Sequence, residues 1–234
     1  MKIISGADGC RDGWVVVSKD LESGKISCRL CRTFEDILKS TDFPEVLAID
    51  IPIGLKEKGG RLCDQSARKV LGPVRSSSVF SAPLRPVLKS TSYLEACGIR
   101  ESIEGKRMSK QAYAILPKIR EVDAVMSSAT NLQSQIREVH PEVSFHFMNE
   151  ARTPLQSKKT ASGHQERLAL LTPIFGDAVF QALEAKRSLS SQPDDILDAF
   201  AALWTAERIH QGVARSLPEF PEVDSKGLRM EIVY

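Results

Sequence analysis

The sequence predicts a mixed α/β chain built as one elaborated domain, and three observations carry that expectation. Short segments near the N-terminus are separated by glycine-rich turns, VLAIDIPIGL at 46–55 holds the unbroken apolar run of a strand buried on both faces, and the last third carries helical spacing. With 234 residues, 42% apolar and 26% charged, the composition is that of a folded globular chain and excludes disorder, collagen and coiled coil. No internal repeat or low-complexity linker divides it.

Taken in order, KIISGAD at 2–8 reads as a first strand, GCRDG as a turn and WVVVSKD at 14–20 as the returning strand of a hairpin. After the turn signal ESG at 22–24, KISCRLCRTF at 25–34 alternates like a third antiparallel strand, and FEDILKS reads as a short helix. The strand at 46–55 is stopped by the Pro and Gly that follow Asp50, which leaves Asp50 at its carboxyl end. Residues 56–130 read as helix and loop, with an amphipathic helix over 112–126. REVHPEVSFHFM at 137–148 returns to strand character. A helix is expected over 162–175 with Ser162 as its cap, and another after Pro193 through DDILDAFAALWTAERIHQG, closed by Gly212.

Lys and Arg number 32 against 30 Asp and Glu, a net charge of +2 that by itself selects no polyanionic partner. The distribution is uneven: Lys56, Lys58, Arg61, Arg68, Lys69, Arg75, Arg85 and Lys89 face only Glu57 and Asp64 within 56–89. Such a run is either a solvated helical face or a phosphate-binding surface. Five cysteines, an odd number, argue against a disulfide framework and for a reducing compartment. Cys28 and Cys31 form a lone C-x-x-C inside an alternating segment, which reads as two strand residues before it reads as zinc or redox chemistry. No apolar run approaches the length of a membrane span, and MKIISGADGC is too short and too soon polar for a signal peptide, so a cytoplasmic protein is expected.

The chemistry lies in acidic residues. Asp8 and Asp50 each end a strand, and the carboxyl ends of adjacent parallel strands meet at one edge of an α/β sheet, where ligand sites form. Asp195 and Asp198 stand three apart and share one helical face. Capping of a helix start accounts for Asp194 and in part for Asp195, whereas Asp198 lies one turn further in, among Leu197, Ala199 and Phe200. For Asp8 and Asp50 the bland alternative is a turn-capping role. Converging carboxylates repel unless a divalent cation neutralises them, and oxygen-only ligation favours Mg²⁺ or Mn²⁺. On a strand, His140 and Glu142 would share one face, as a ligand with a general base or as a salt-bridged edge.

The segments GADGCRDGW (6–14), AIDIPIGL (48–55), RLCDQSARKVLGP (61–73), SSVFSAP (77–83), SKQAYAILPKIREVD (109–123), EVHPEVSF (138–145), DDILDAFAALWTAERI (194–209) and GLRMEIVY (227–234) resemble the family known as domain of unknown function 429 over essentially the whole chain. The resemblance implies a ribonuclease H-like α/β fold, a single domain over 1–234. Its mixed sheet would begin with three antiparallel strands, with flanking helices and the basic, mostly helical insertion at about 56–130. Members are predicted nucleases. The family's motif puts Asp8 at the first-strand position, Asp50 at the fourth-strand position, and Asp195 with Asp198 on the late helix, while Glu142 belongs to the HPE motif with an open role.

Metal-assisted phosphodiester hydrolysis is therefore the expected chemistry, with Asp8, Asp50 and Asp198 holding Mg²⁺ or Mn²⁺ and Asp195 or Glu142 orienting the attacking water. Arg61, Arg68, Arg75, Lys110 and His140 are the candidates for substrate contact, with Lys158 and Lys159 as either surface residues or phosphate clamps. Two other classes stay open. The Asp–Gly turn of GADGCRDG is compatible with an actin-like, ATP-binding phosphotransferase, although such enzymes use two domains of this kind. A non-catalytic nucleic-acid or protein-binding module is the third reading. Resolvases of the same fold act as symmetric pairs, so a homodimer is compatible with the resemblance, but no heptad or apolar stripe in the sequence marks a dimer face.

Overall fold

A computed structural model describes residues 2–40, 43–152 and 155–234. The strands β1 (Ile3–Cys10), β2 (Gly13–Asp20) and β3 (Ile26–Cys31) precede helix α1 (Phe34–Leu38) and strand β4 (Val46–Asp50). Helices α2 (Leu62–Arg75), α3 (Tyr93–Glu104), α4 (Lys110–Ala114) and α5 (Leu116–Ser128) follow, then β5 (Ile136–Glu138) and α6 (Pro141–Met148). Helices α7 (Ala161–Phe175), α8 (Asp177–Glu184) and α9 (Pro193–His210) and strands β6 (Ser216–Val223) and β7 (Arg229–Val233) complete the chain. Contacts divide it into two compact units, Met1–Ile51 with Ser134–Arg215 and Val233–Tyr234, and Pro52–Gln133 with Ser216–Ile232.

The first unit is a mixed sheet in the order β3-β2-β1-β4-β5. β1, β2 and β3 pair antiparallel, whereas β4 runs parallel to β1 and β5 parallel to β4. The three antiparallel first strands and the buried fourth strand are those expected from the sequence, and the fourth ends at Asp50 as the Pro and Gly beyond it imply. Ile4, Gly6 and Asp8 alternate onto the sheet face that Val15, Val17, Val46 and Ala48 share by register. Most of these join Ala199, Phe200, Ala202 and Leu203 of α9 in one apolar core. At Gly6 the helix and strand backbones approach so closely that a Cβ would lie 2.0 Å from the Leu203 amide nitrogen and 2.3 Å from the Ala199 carbonyl oxygen. Glycine on β1 against alanines on α9 is what sets the helix directly on the sheet.

Helix α9 begins with Pro193, which lacks the amide that a first turn leaves unpaired anyway, and ends at His210 with Gln211 as its C-cap and Gly212 following at φ 71°. From Ile196 to Leu203 every residue is buried. Helix α7 starts from Thr160, whose hydroxyl accepts the Gly163 amide, rather than from Ser162.

The strand expected over 137–148 is a correction. Only Ile136–Glu138 is strand, and Pro141 instead opens α6 at the N1 position, with Glu142 in its first turn. His140 is the N-cap residue, so His140 and Glu142 do not share a strand face. Ser144 of α6 and Thr205 of α9 join hydroxyls at 2.9 Å, fixing the two helices together.

The second unit carries α2 to α5 and most of the β6–β7 hairpin. Leu84, Val87, Ala96, Cys97, Met108, Ala112 and Leu116 form its apolar cluster. The helix expected over 112–126 is two, α4 and α5, parted at Ile115 because Pro117 cannot donate into a continuous helix. Among the described residues, no helix is long and apolar enough to cross a membrane.

Candidate functional site

The carboxyl ends of β1 and β4 bring two acids together, because the parallel register pairs Asp8 with Asp50 directly. Paired residues of neighbouring strands share a sheet face, and this is the face that α9 covers. Helix α9 then adds Asp198, 2% exposed, next to the Ala199 that closes on Gly6. Asp8 is 8% exposed, and Asp50 is partly open to solvent. Three carboxylates distant in sequence thus occupy one end of the sheet.

The sequence left Lys158 undecided, and the structure puts it in this cluster. Its ammonium nitrogen lies 2.5 Å from Asp198 Oδ2 and 3.9 Å from Asp194 Oδ2. The turn that presents it is held from several sides. The Thr160 hydroxyl donates to the Ser157 carbonyl at 2.8 Å, and Gly163 approaches so near that a Cβ would sit 2.1 Å from that same oxygen. The buried Arg167 donates to the Gln156 and Gly163 carbonyls at 3.0 and 2.7 Å.

The acids show the strain of convergence. Burial, then the charges of Asp50 and Asp198, raise Asp8 well above the usual carboxylate range, with Lys158 pulling the other way. Burial, the Asp198 charge and Glu138 at the end of β5 push Asp50 up to about 8, against the Lys158 charge and a hydrogen bond with Asp8. Asp198 reaches about 6 through burial, moderated chiefly by Lys158. Lys158 itself is raised: burial acts to lower it, but the Asp198 charge and hydrogen bond, with Asp8 and Asp50, more than offset that. Asp198 Oδ1 is buried and has no hydrogen-bond partner among the described residues.

A buried carboxylate oxygen without a donor among the described residues and adjoining acids above their usual range both describe negative charge in excess of local cations, the condition under which carboxylates take up a divalent cation. Asp8, Asp50 and Asp198 are the residues that would hold it.

The other expected residues divide. Asp195 accepts the Gln192 amide at 2.8 Å in a reciprocal capping arrangement, so helix capping accounts for its position while its charge still acts on Asp8. Glu142 is buried against Arg167 at 2.5 Å, which makes it part of the brace beneath the Lys158 turn. Arg167 and Glu138 escaped the sequence reading. An arginine inside the apolar stretch RLALL was the available signal for the first, and nothing marked the second.

In the second unit Arg61 is buried, pairs with Asp64 at 2.5 Å and donates to the Ile53 and Gly54 carbonyls, which commits it to the fold. Arg68 donates to the Val79 carbonyl at 2.8 Å and to Ser81 at 3.1 Å. Arg75 is partly buried at the end of α2. Lys110 is exposed, as are Lys58, Lys69, Lys89 and Lys106, and Lys58 and Lys106 line a cleft of about 350 Å³ with Ser81 and Arg100. Cys28 and Cys31 lie on β3 an odd number of residues apart, so they leave opposite faces, and burial pushes the Cys28 thiol up to about 12 and raises Cys31 as well.

No curated protein and no solved structure matches the chain. The family model described as protein of unknown function DUF429 matches residues 6–223, a span that holds Asp8, Asp50, Lys158 and Asp198 together, and the chain belongs to that family.

Proposed function

We propose that this protein is a divalent-metal-dependent nuclease that hydrolyses phosphodiester bonds of nucleic acid at the cluster of Asp8, Asp50 and Asp198. The observation that carries the reading is the charge imbalance: three converging carboxylates share Lys158, and one buried oxygen of Asp198 is left without a donor among the described residues. The strand order β3-β2-β1-β4-β5, with its first three strands antiparallel, supports a ribonuclease H-like fold and the acidic positions that go with it.

A bound Mg²⁺ or Mn²⁺ would supply charge stabilisation to the attacking and leaving oxygens of a phosphodiester. Asp8 and Asp50 would supply ligands from the rigid sheet and Asp198 from the helix clamped to it at Gly6. Asp195 adds negative charge beside Asp8, and the Glu142–Arg167 pair keeps the Lys158 turn in place. Exposed Lys58, Lys69, Lys89, Lys106 and Lys110 are the side chains suited to phosphate contacts, in place of Arg61, which is buried in an ion pair, and Arg68, which is tied to Val79 and Ser81. An odd number of cysteines suits a reducing, cytoplasmic setting.

Calorimetric Mn²⁺ titration of the wild type, Asp8→Asn and Asp198→Asn tests the site without a guess at the substrate. Binding in the wild type that is lost in both variants is expected, followed by Mn²⁺-dependent cutting in a panel of single-stranded, duplex, hybrid and branched substrates. Absence of cutting together with saturable ATP binding would transfer the protein to the phosphotransferase class, and binding to strands without cutting would make it a binding module.

A further inference from the structure

The carboxylates of Asp194 and Asp198 stand one turn apart on α9, and the Lys158 ammonium lies between them, 2.5 Å from Asp198 Oδ2 and 3.9 Å from Asp194 Oδ2. The two positions differ in depth, since the Asp198 side chain is 2% exposed and that of Asp194 is 32% exposed. The backbone around Lys158 is fixed by Thr160, Gly163 and Arg167, which leaves motion to its four-carbon stem. The oxygen that Lys158 occupies belongs to a carboxylate whose other oxygen is buried and has no donor among the described residues.

A divalent cation drawn to Asp8, Asp50 and Asp198 meets this ammonium on the same carboxylate. Two positive charges a few ångströms apart in a poorly solvated site repel strongly, so the ammonium must leave Asp198 Oδ2 as the metal enters. A short outward swing of the stem brings it to Asp194, at the wetter end of the same helix turn.

We propose that Lys158 is a built-in counter-cation of the carboxylate cluster, which yields Asp198 to an incoming divalent metal and transfers to Asp194. The proposal rests on the metal reading above and adds how occupancy of that site is regulated. The exchange is one cation for another: Lys158 keeps its proton throughout, and no bond is made or broken. The lysine keeps the metal-free cluster folded and sets the threshold of metal concentration at which it loads, while Asp194 lowers that threshold by receiving the displaced charge.

The test is a double-mutant cycle on the full chain, read by calorimetric Mn²⁺ affinity, with melting temperature in EDTA as a second readout. Lys158→Met, which keeps the stem and removes the charge, is expected to bind Mn²⁺ at least about tenfold more tightly, within the usual span of coupling between two sites, and to melt lower in EDTA. Asp194→Asn is expected to weaken Mn²⁺ binding in the wild type by roughly threefold to tenfold and to have a much smaller effect in the Lys158→Met background. Lys158→Gln replaces Lys158→Met in the cycle if the latter does not fold. Wild-type binding with equal or weaker affinity in the lysine variant overturns this proposal and leaves the metal reading standing, as does an Asp194→Asn effect of the same size in both backgrounds. No Mn²⁺ binding in wild type or lysine variant overturns both.

Discussion

Raising the pH of the metal-free protein from 6 to 8 should destabilise it, and Asp50 sets the size of the effect. Burial and its acidic neighbours push this carboxyl up to about 8, against about 3.9 in an unfolded chain. Between those values the folded state holds a proton that the unfolded state has released, so this contribution to stability is complete below about pH 4 and is lost as pH rises through 8. The slope is about 1.4 kcal/mol per pH unit while the difference is close to one proton and falls to half that at pH 8, which integrates to about 2.3 kcal/mol from pH 6 to 8. Partial exposure of Asp50 screens this to about 2 kcal/mol. For a chain of this length that is a fall in melting temperature of about 4–8 °C. Asp8, raised by the same causes, works in the same direction, whereas Asp198, at about 6, has lost most of its contribution before the window opens. Thermal scans in EDTA at pH 6 and 8, of wild type beside Asp50→Asn, read the effect. The wild type should melt lower at pH 8, and the variant should show a smaller fall, the remainder belonging to Asp8. A wild-type melting temperature that does not change, or an equal fall in both proteins, refutes the electrostatic account of the cluster.

Other predictions bear on the frame and on the partners. Gly6→Ala should cost roughly 4 kcal/mol or more, because the new Cβ meets α9 backbone rather than a flexible side chain, and circular dichroism melting of purified protein would register it; near-wild-type stability would mean that α9 does not close on β1 as described. Arg61→Ala breaks a buried ion pair and should destabilise by about 3–5 kcal/mol, whereas Lys58→Ala with Lys106→Ala should leave melting unchanged and weaken binding of a labelled oligonucleotide. A shallower salt dependence of that binding in the lysine double variant is the signature to look for in fluorescence anisotropy, and an unchanged slope would assign both lysines to bare surface. Glu142→Gln should lower stability by about 3–5 kcal/mol in urea titration, because it leaves the Arg167 charge buried without its anion, and a change below 1 kcal/mol would remove the brace beneath Lys158.

The elements legible in the sequence were those with a strong local signal. Alternation and glycine turns marked β1, β2 and β3, the apolar run marked β4, and helical spacing with Pro193 and Gly212 at its ends marked α9. Where local signals conflicted, the sequence misled. PEVSFHFM is rich in strand-forming Val and Phe, but Pro141 followed by Glu142 is also a helix start, and the helix is what forms. The hairpin of β6 and β7 went unread because Pro218 and Pro221 argue against a strand; in a two-stranded sheet both strands are edges, where a missing amide is tolerated.

By itself the sequence marked Asp8 near the end of its first strand, Asp50 at the end of its fourth and Asp198 too deep in its helix to be a cap, as acids that could act together. Their convergence, and the cation among them, were decided only in three dimensions. The parallel register of β1 with β4 pairs the two aspartates, Gly6 admits the α9 backbone that carries the third, and a turn forty residues from Asp198 delivers Lys158. The same holds for the basic stretch at 56–89. It looks unbalanced along the chain, yet Lys56 pairs with Glu222, and Arg85 pairs with Asp123 and Asp224. Charge interactions act across a few ångströms of space whatever the distance along the chain, so a local count of residues reports neither which cations are neutralised nor which carboxylates are left wanting one.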